Sequence, residues 1–254
     1  MRERIVLIGR EGSATAILYH ALVVEFDVYV LHETPPPVSQ LLRWRAKHGG
    51  WWKVCGQVLF RILVAKPLGW MSTVRRAAIL KEHGVSDQEI ASVAVTRIGS
   101  VNSPECWDRV HALSPRAVVI NGTRILSKKT IAALGVPVLN THVGITPMYR
   151  GVHGAYWALV NDDRAHCGVT VHLVDEGIDT GGILHQALIE PTDQDNFSTY
   201  PVMQMAVGAK LMVRAVSDLI TGIAAVKHIE GESRRWYHPT LWQYLRNRTK
   251  RGIR

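Results

Sequence analysis

The sequence predicts an α/β protein built on a mostly parallel twisted sheet with helices on both faces. Three observations lead there. Short apolar runs alternate with helical patterns over the first 140 residues. The apolar runs are continuous rather than alternating, as in strands buried on both sides. The intervals between them are long enough for crossover helices, which parallel neighbours require. Size and composition agree: 254 residues, 47% hydrophobic and 20% charged, describe a chain able to bury a sizeable core.

The elements follow in order. Ile5–Gly9 reads as the first buried strand, too short for the apolar region of a signal peptide. Further strands are expected at Asp27–Leu31, Ser92–Thr96, Ala117–Asn121 and Pro137–Asn140, with helices such as Ser13–Val24 and Ser127–Leu134 between them. After residue 150 the pattern predicts a helix over Val152–Asn161, strands over Cys167–Val174 and Gly182–Ile189, and a long helix over Thr199–Ala225. The tail, with Trp236, Tyr237, Pro239 and Trp242, is expected to pack as an irregular segment and a short helix. This divides the chain into a core over 1–190 and a carboxy-terminal extension over 191–254 that would serve as a dimerisation element.

Residues 35–84 form an insertion. Pro35-Pro-Pro37 breaks the chain, and a basic, tryptophan-rich stretch follows, with Val54, Cys55, Val58, Leu59, Ile62 and Leu63 at helical spacing and Arg61 among them. The uninterrupted apolar length reads as too short for a membrane span. Trp51, Trp52, Lys53, Lys66 and Trp70 would suit an interfacial helix, but packing against the body or a second subunit is the preferred expectation.

Cys55, Cys106 and Cys167 are widely spaced and form no CxxC pair, which argues against a disulfide framework or a zinc site and for a reducing, cytoplasmic setting. The net charge of +9 favours phosphorylated or polyanionic partners, but no nucleic-acid-binding module is recognisable. No metal site is expected.

The candidate chemistry begins at a strand end. Asn140 and His142, two apart, point to the same face of a strand, roughly 6.6 Å apart along it. Asp179 lies thirty-seven residues beyond His142, after another strand-like run. An amide and an imidazole facing one cavity are suited to stabilise an oxyanion and move a proton.

Five elements appear in order: Asn140-Thr-His142, Tyr149-Arg150-Gly151, Trp157-Ala158-Leu159, Gly168-Val-Thr170-Val-His172 and Asp175-Glu-Gly-Ile-Asp179-Thr-Gly-Gly182. Together they resemble the core of the folate-dependent formyltransferases, over roughly residues 117 to 189. The resemblance implies a Rossmann-like formyltransferase fold. It also implies transfer of a formyl group from N10-formyltetrahydrofolate to an amine, through a tetrahedral species carrying negative charge on oxygen. By similarity, Asn140 would hydrogen-bond that oxyanion, His142 would polarise the same oxygen or relay the proton, and Asp179 would orient His142 and help deprotonate the amine. His172 is open between packing and a supporting role. The strand end at Asn121, Gly122, Arg124, Ile125 and Leu126, with Val138 and the loop residues Asp175, Gly177 and Ile178, would enclose the pterin.

Gly9, Arg10, Gly12 and Ser13, at the turn into the first helix, resemble imperfectly the phosphate loop of glycinamide ribonucleotide enzymes, and with Tyr149 and Arg150 would bind the amine substrate. Length and extension resemble most the sugar N-formyltransferases, which implies a nucleotide-linked (NDP) aminosugar as acceptor and a homodimer. Glycinamide ribonucleotide, hydroxyornithine and methionyl-tRNA remain as other acceptors; about 60 residues beyond the last core strand leave no room for a second barrel domain that would grip tRNA. A non-catalytic folate-binding scaffold is the alternative of a different class.

Overall fold

A computed structural model describes residues 2–229 and 231–254, with all their side chains except those of Leu41 and Trp44. Strand β1 (Arg4–Gly9) leads into α1 (Ser13–Leu22) and β2 (Asp27–Glu33). The insertion then forms α2 (Val38–Gly49), α3 (Trp51–Phe60), a π-helical turn (Arg61–Ala65), α4 (Lys66–Met71) and α5 (Thr73–His83). The chain returns through β3 (Val95–Ile98), α6 (Pro104–Leu113), β4 (Ala117–Asn121), α7 (Lys128–Leu134) and β5 (Val138–His142). Next come β6 (Arg150–Gly151), α8 (Gly154–Val160), β7 (Gly168–Leu173), β8 (Ile183–Leu188) and α9 (Tyr200–Thr221). Strand β9 (Arg235–Trp236) and α10 (Leu241–Arg251) end it.

The sheet order is β3-β2-β1-β4-β5-β7-β8. The first five strands are parallel, and β7 and β8 run antiparallel to close the edge. Alternate residues of each strand feed two apolar layers. Ile5, Leu7, Val119 and Leu139 join one, against α1 and α9; Val6, Ile8, Val118 and Val138 join the other, against α6 and α7. Strand order reverses between β1 and β4, where Gly9 pairs with Asn121, and the carboxyl ends of such strands open a crevice.

Local chemistry sets most boundaries. Ser127 accepts the Thr130 amide and starts α7; Ser103 accepts the Cys106 amide ahead of Pro104 and starts α6. Thr240 and Gln243 form a capping box on α10. The third strand begins later than expected: residues 92–94 form a 3₁₀ turn, and pairing to β2 starts at Val95.

Helix α9 lies in the same core as residues 1–190, burying Met203, Ala206, Ala209, Met212 and Val216. It crosses β5 and β7 at Gly208, where a side chain would collide with Thr141 and Val169.

The insertion differs most from expectation. Helices α3 and α4 run continuously through the π turn as Trp51–Met71, 21 residues with a mean hydropathy of 1.2. By length and composition this helix is long enough to cross a membrane, which corrects the reading of a short apolar run. In the π turn the Lys66 amide reaches back to the Arg61 carbonyl, and Pro67 follows directly at the start of α4. The inward face is anchored: Phe60 packs on Phe197 and Tyr244 at ring separations of 4.8 and 5.2 Å, and the Arg75 guanidinium makes two hydrogen bonds to the buried Asp195 carboxylate.

The tail also holds more order than expected. Strand β9 pairs in parallel with β6, and Trp236 stacks on Trp157 and Tyr149.

Candidate functional site

A cavity of about 510 Å³ opens beyond the carboxyl ends of β1, β4 and β5. Ile120, Leu126, Val174, Ile178 and Met205 give it apolar walls, and Asn140, His142, His172 and Asp179 form a polar floor.

The floor is set by strand pairing. Asn140 on β5 stands opposite His172 on β7, two residues before His142. Asp179 arrives from the loop after β7 with a left-handed backbone, φ 53°. That conformation is uncommon outside glycine, and aspartate is among the residues that tolerate it best. Arg150 holds the loop by donating from Nη1 to the Ile178 carbonyl at 3.0 Å, and the Gly151 amide donates to Asp179 Oδ2 at 3.1 Å. At Gly181 the loop runs so close to β7 that a Cβ would strike the Leu173 carbonyl.

Hydrogen bonds fix the tautomers. His142 Nε2 lies 2.7 Å from the Tyr149 carbonyl, an acceptor only, so Nε2 carries the proton and Nδ1 faces Asp179 Oδ2 at 3.4 Å with its lone pair. His172 Nδ1 lies 2.7 Å from the Leu173 carbonyl, so Nδ1–H donates there and Nε2 accepts from Asn140 Nδ2 at 3.3 Å. Asn140 Nδ2 also lies 3.5 Å from Asp179 Oδ1.

Charge follows from burial and neighbours. Burial drives the His142 pKa below its usual value, against the pull of Asp179, so the ring is neutral. Burial alone would raise Asp179; the His172 ring, the positive charge that His142 gains on taking up a proton, and the Gly151 amide outweigh it and hold the carboxyl at about 2. A neutral His142 lone pair therefore faces a carboxylate, an arrangement with room for one shared proton.

Other expected site residues fall in several places. Asn121, Gly122, Arg124, Ile125, Leu126, Asp175, Gly177 and Ile178 all line the cavity. Three of their side chains are already committed. Arg124 donates from Nη1 to the buried Glu33 at 2.7 Å, and Asp175 Oδ1 accepts from the Gly177 amide and the Thr180 hydroxyl. Asn121 donates to Thr15 Oγ1 at 2.9 Å. Val138 does not line the cavity, because its side chain turns into the apolar layer under α6 and α7.

Tyr149 is placed differently from expectation. Its ring is buried on Trp236, and its hydroxyl donates to Asp163 at 2.8 Å, so only its carbonyl serves the site. Arg150 braces the loop rather than lining the cavity.

Gly12 and Ser13 line a second cavity of about 320 Å³, beside Ala14 of the first. It is ringed by Glu11, Asp87, Glu89, Arg97 and His32, and Ser13 Oγ donates to Asp87 at 2.9 Å. Gly9 is covered by Thr15 and Asn121, and Arg10 lines neither cavity. Arg235, which sequence reasoning did not single out, reaches the first cavity from β9. No group of three or more metal-ligating side chains suited to an ion occurs among the described residues.

The family profile described as Formyl transferase matches residues 76–216, more than half of the chain. The chain belongs to the formyl transferase family. It is similar to the methionyl-tRNA formyltransferase of Thermodesulfovibrio yellowstonii, 34% identical over 125 residues, which cover 49% of this chain and 40% of that protein. The chain thus spans less than half the length of the curated relatives it matches. Among solved structures it resembles a sugar N-formyltransferase from Shewanella sp FDAARGOS_354, with a TM-score of 0.58 and 14% identity over 92% of this chain and 76% of that one. It also resembles an N-formyltransferase from Helicobacter canadensis in complex with folinic acid and dTDP-3-aminofucose, with a TM-score of 0.56 and 14% identity over 93% of this chain and 71% of that one. At such identities the likeness is one of fold.

Proposed function

We propose that this protein transfers a formyl group from N10-formyltetrahydrofolate to a primary amine, and that the amine belongs to an NDP-linked aminodeoxysugar of surface-glycan synthesis. The observation that carries the reaction is the convergence of Asn140, His142, His172 and Asp179 on the floor of an otherwise apolar cavity. A flat heteroaromatic ring fits between Leu126, Val174 and Ile178, with backbone polar groups of Gly122 and Gly177 at its edge. When bound, the folate supplies an activated formyl carbonyl.

The residues have separable tasks. Asn140 Nδ2 holds its two hydrogens toward His172 and Asp179, the latter at a long 3.5 Å, and the second hydrogen is the one to turn toward a formyl oxygen gathering negative charge. His142 Nδ1 and Asp179 Oδ2 receive the proton lost by the attacking amine. With Nε2–H committed to Tyr149, His142 is better suited to relay a proton than to polarise the oxygen.

The neighbouring cavity supports the acceptor class. Glu11, Asp87 and Glu89 suit sugar hydroxyls and a protonated amine, and Arg97 with the uncapped amino terminus of α1 suits a diphosphate. A methionyl-tRNA acceptor is the second reading, favoured by the relatives of that name and by the positive charge.

Incubation with N10-formyltetrahydrofolate and a panel of acceptors decides between them. The panel holds dTDP-, GDP- and UDP-aminosugars, glycinamide ribonucleotide, hydroxyornithine and charged initiator tRNA, with formylated product read by mass spectrometry. Formylation of an aminosugar alone is the expected result. Formylation of tRNA alone overturns the acceptor, and folate binding without turnover of any acceptor overturns the reaction.

A further inference from the structure

We propose that the outward face of the helix Trp51–Met71 binds an anionic lipid bilayer, with the helix lying in the membrane plane. The face is apolar and uncovered. Trp51, Cys55, Val58, Ile62 and Trp70 recur along one side, interrupted by Lys66 where the next turn falls. Trp51 is 66% exposed, Trp70 75% and Met71 81%, and only 17% of the most apolar window is buried. Isolated exposed apolar residues are ordinary, but a stripe of this length broken only by a lysine marks a surface that meets something.

The charge says what it meets. From Thr34 to Lys81 the chain has no aspartate or glutamate. Nine of the 30 lysines and arginines lie there, so the 21 elsewhere balance the 21 carboxylates, and the net charge of +9 belongs to this segment. Arg75 is drawn inward to Asp195, whereas Lys47, Lys53, Arg61 and Lys66 make no ion pair among the described residues. Basic side chains beside an apolar stripe place ammonium and guanidinium groups at lipid phosphates while their stems and the indoles enter the headgroup boundary.

Three other occupants fit less well. A spanning helix would have to withdraw Phe60 from Phe197 and Tyr244, and Gly56 from Trp242, and carry Lys53, Arg61 and Lys66 with it. A two-fold dimer would set two carboxylate-free segments face to face. Nucleic acid would reward the cations but leave Ile62, Leu63 and Met71 in water. An interfacial pose keeps the inner packing and covers the outer stripe. The inference does not depend on the acceptor or on the reaction.

The test uses the full chain and vesicles of phosphatidylglycerol with phosphatidylcholine, against vesicles of phosphatidylcholine alone. Co-sedimentation with the anionic vesicles, weakened by salt, is expected, together with a blue shift of tryptophan emission. The triple variant Trp51→Ser, Ile62→Ser, Trp70→Ser and the charge reversal Lys47→Glu, Lys66→Glu should each weaken partitioning by about tenfold or more. Their thermal midpoints should stay near the parent's, because these side chains are exposed. No binding to anionic vesicles, or binding undiminished in the serine variant, overturns the proposal. A dimer in sedimentation equilibrium that the serine variant dissolves overturns it in favour of a subunit interface. Competition by tRNA with the serine variant unaffected overturns it in favour of a nucleic-acid surface.

Discussion

His142 and Asp179 meet at 3.4 Å, ring nitrogen Nδ1 to carboxylate Oδ2, with the opposite ring nitrogen tied to the Tyr149 carbonyl. Because Nε2 holds the ring proton, the pair presents a lone pair to a carboxylate and has room to take up one proton between them. Asp179→Asn keeps the shape and the Gly151 hydrogen bond through the amide oxygen but removes the charge. Formyl transfer should fall by about 10²- to 10⁴-fold in this variant and in His142→Ala. Near-parental circular dichroism would assign the loss to chemistry, and retention of full turnover would remove the pair from the reaction.

His172 acts through Asn140 rather than on substrate. Its Nε2 accepts from Asn140 Nδ2, which fixes which end of the amide faces the pair. His172→Ala should lower kcat by about tenfold while leaving KM for the folate near its parental value. His172→Gln, whose carbonyl can still accept from Asn140, should recover part of that loss. A pure packing role predicts the opposite ranking by thermal stability, with no split between kcat and KM.

Much of this geometry was legible in the sequence, for reasons that also mark where reading stops. Asn140 and His142 share a strand face because strands repeat every two residues, and Ala117–Asn121 is a strand from end to end because a short, β-branched apolar run suits a strand buried on both sides. Tyr149 was misplaced, and the hold of Glu33 on the Arg124 guanidinium was not foreseen, because Asp163 and Glu33 are set by tertiary contacts that no local pattern announces. Nothing in Arg235 itself pointed to the cavity; it depends on β9 pairing with β6 across more than eighty residues. The length of the helix Trp51–Met71 was not read because Lys53, Arg61 and Lys66 interrupt its apolar residues, and a π turn has no compositional signal.

The wall of the cavity rests on a buried ion pair. Glu33 has no exposed side-chain surface; it accepts from Arg124 Nη1 at 2.7 Å, from the Arg124 amide at 2.8 Å and from the Val101 amide at 2.8 Å. Removing the carboxylate strands two backbone amides and a guanidinium. Glu33→Ala should cost about 3 kcal/mol in urea unfolding, within the range for breaking a buried pair, and raise KM for the folate by loosening residues 122–126. Glu33→Gln retains one acceptor oxygen and should cost less. Unchanged stability in the alanine variant would show that the loop is held by other contacts.

Acid should weaken the protein in two pH windows. His153 and His238 lie 3.0 Å apart, Nε2 to Nδ1, and burial lowers them to about 3 and about 4, with His238 acting on His153 and Arg45 and Arg61 on His238. Below pH 6.5 the unfolded chain binds protons at these rings while the folded one does not, so stability falls as pH drops from 6.5 toward 4. The loss should be on the order of 3 kcal/mol for each ring. Asp179 has the carboxylate sign: its contribution is present above its ordinary value of 3.8 and disappears as pH falls through about 2. His153→Asn tests the first window, since asparagine tolerates the left-handed backbone at φ 58° and keeps a polar contact to His238 without titrating. Urea midpoints measured from pH 7 to 4 should decline less steeply in that variant. An identical slope would place the acid-sensitive groups elsewhere in the fold.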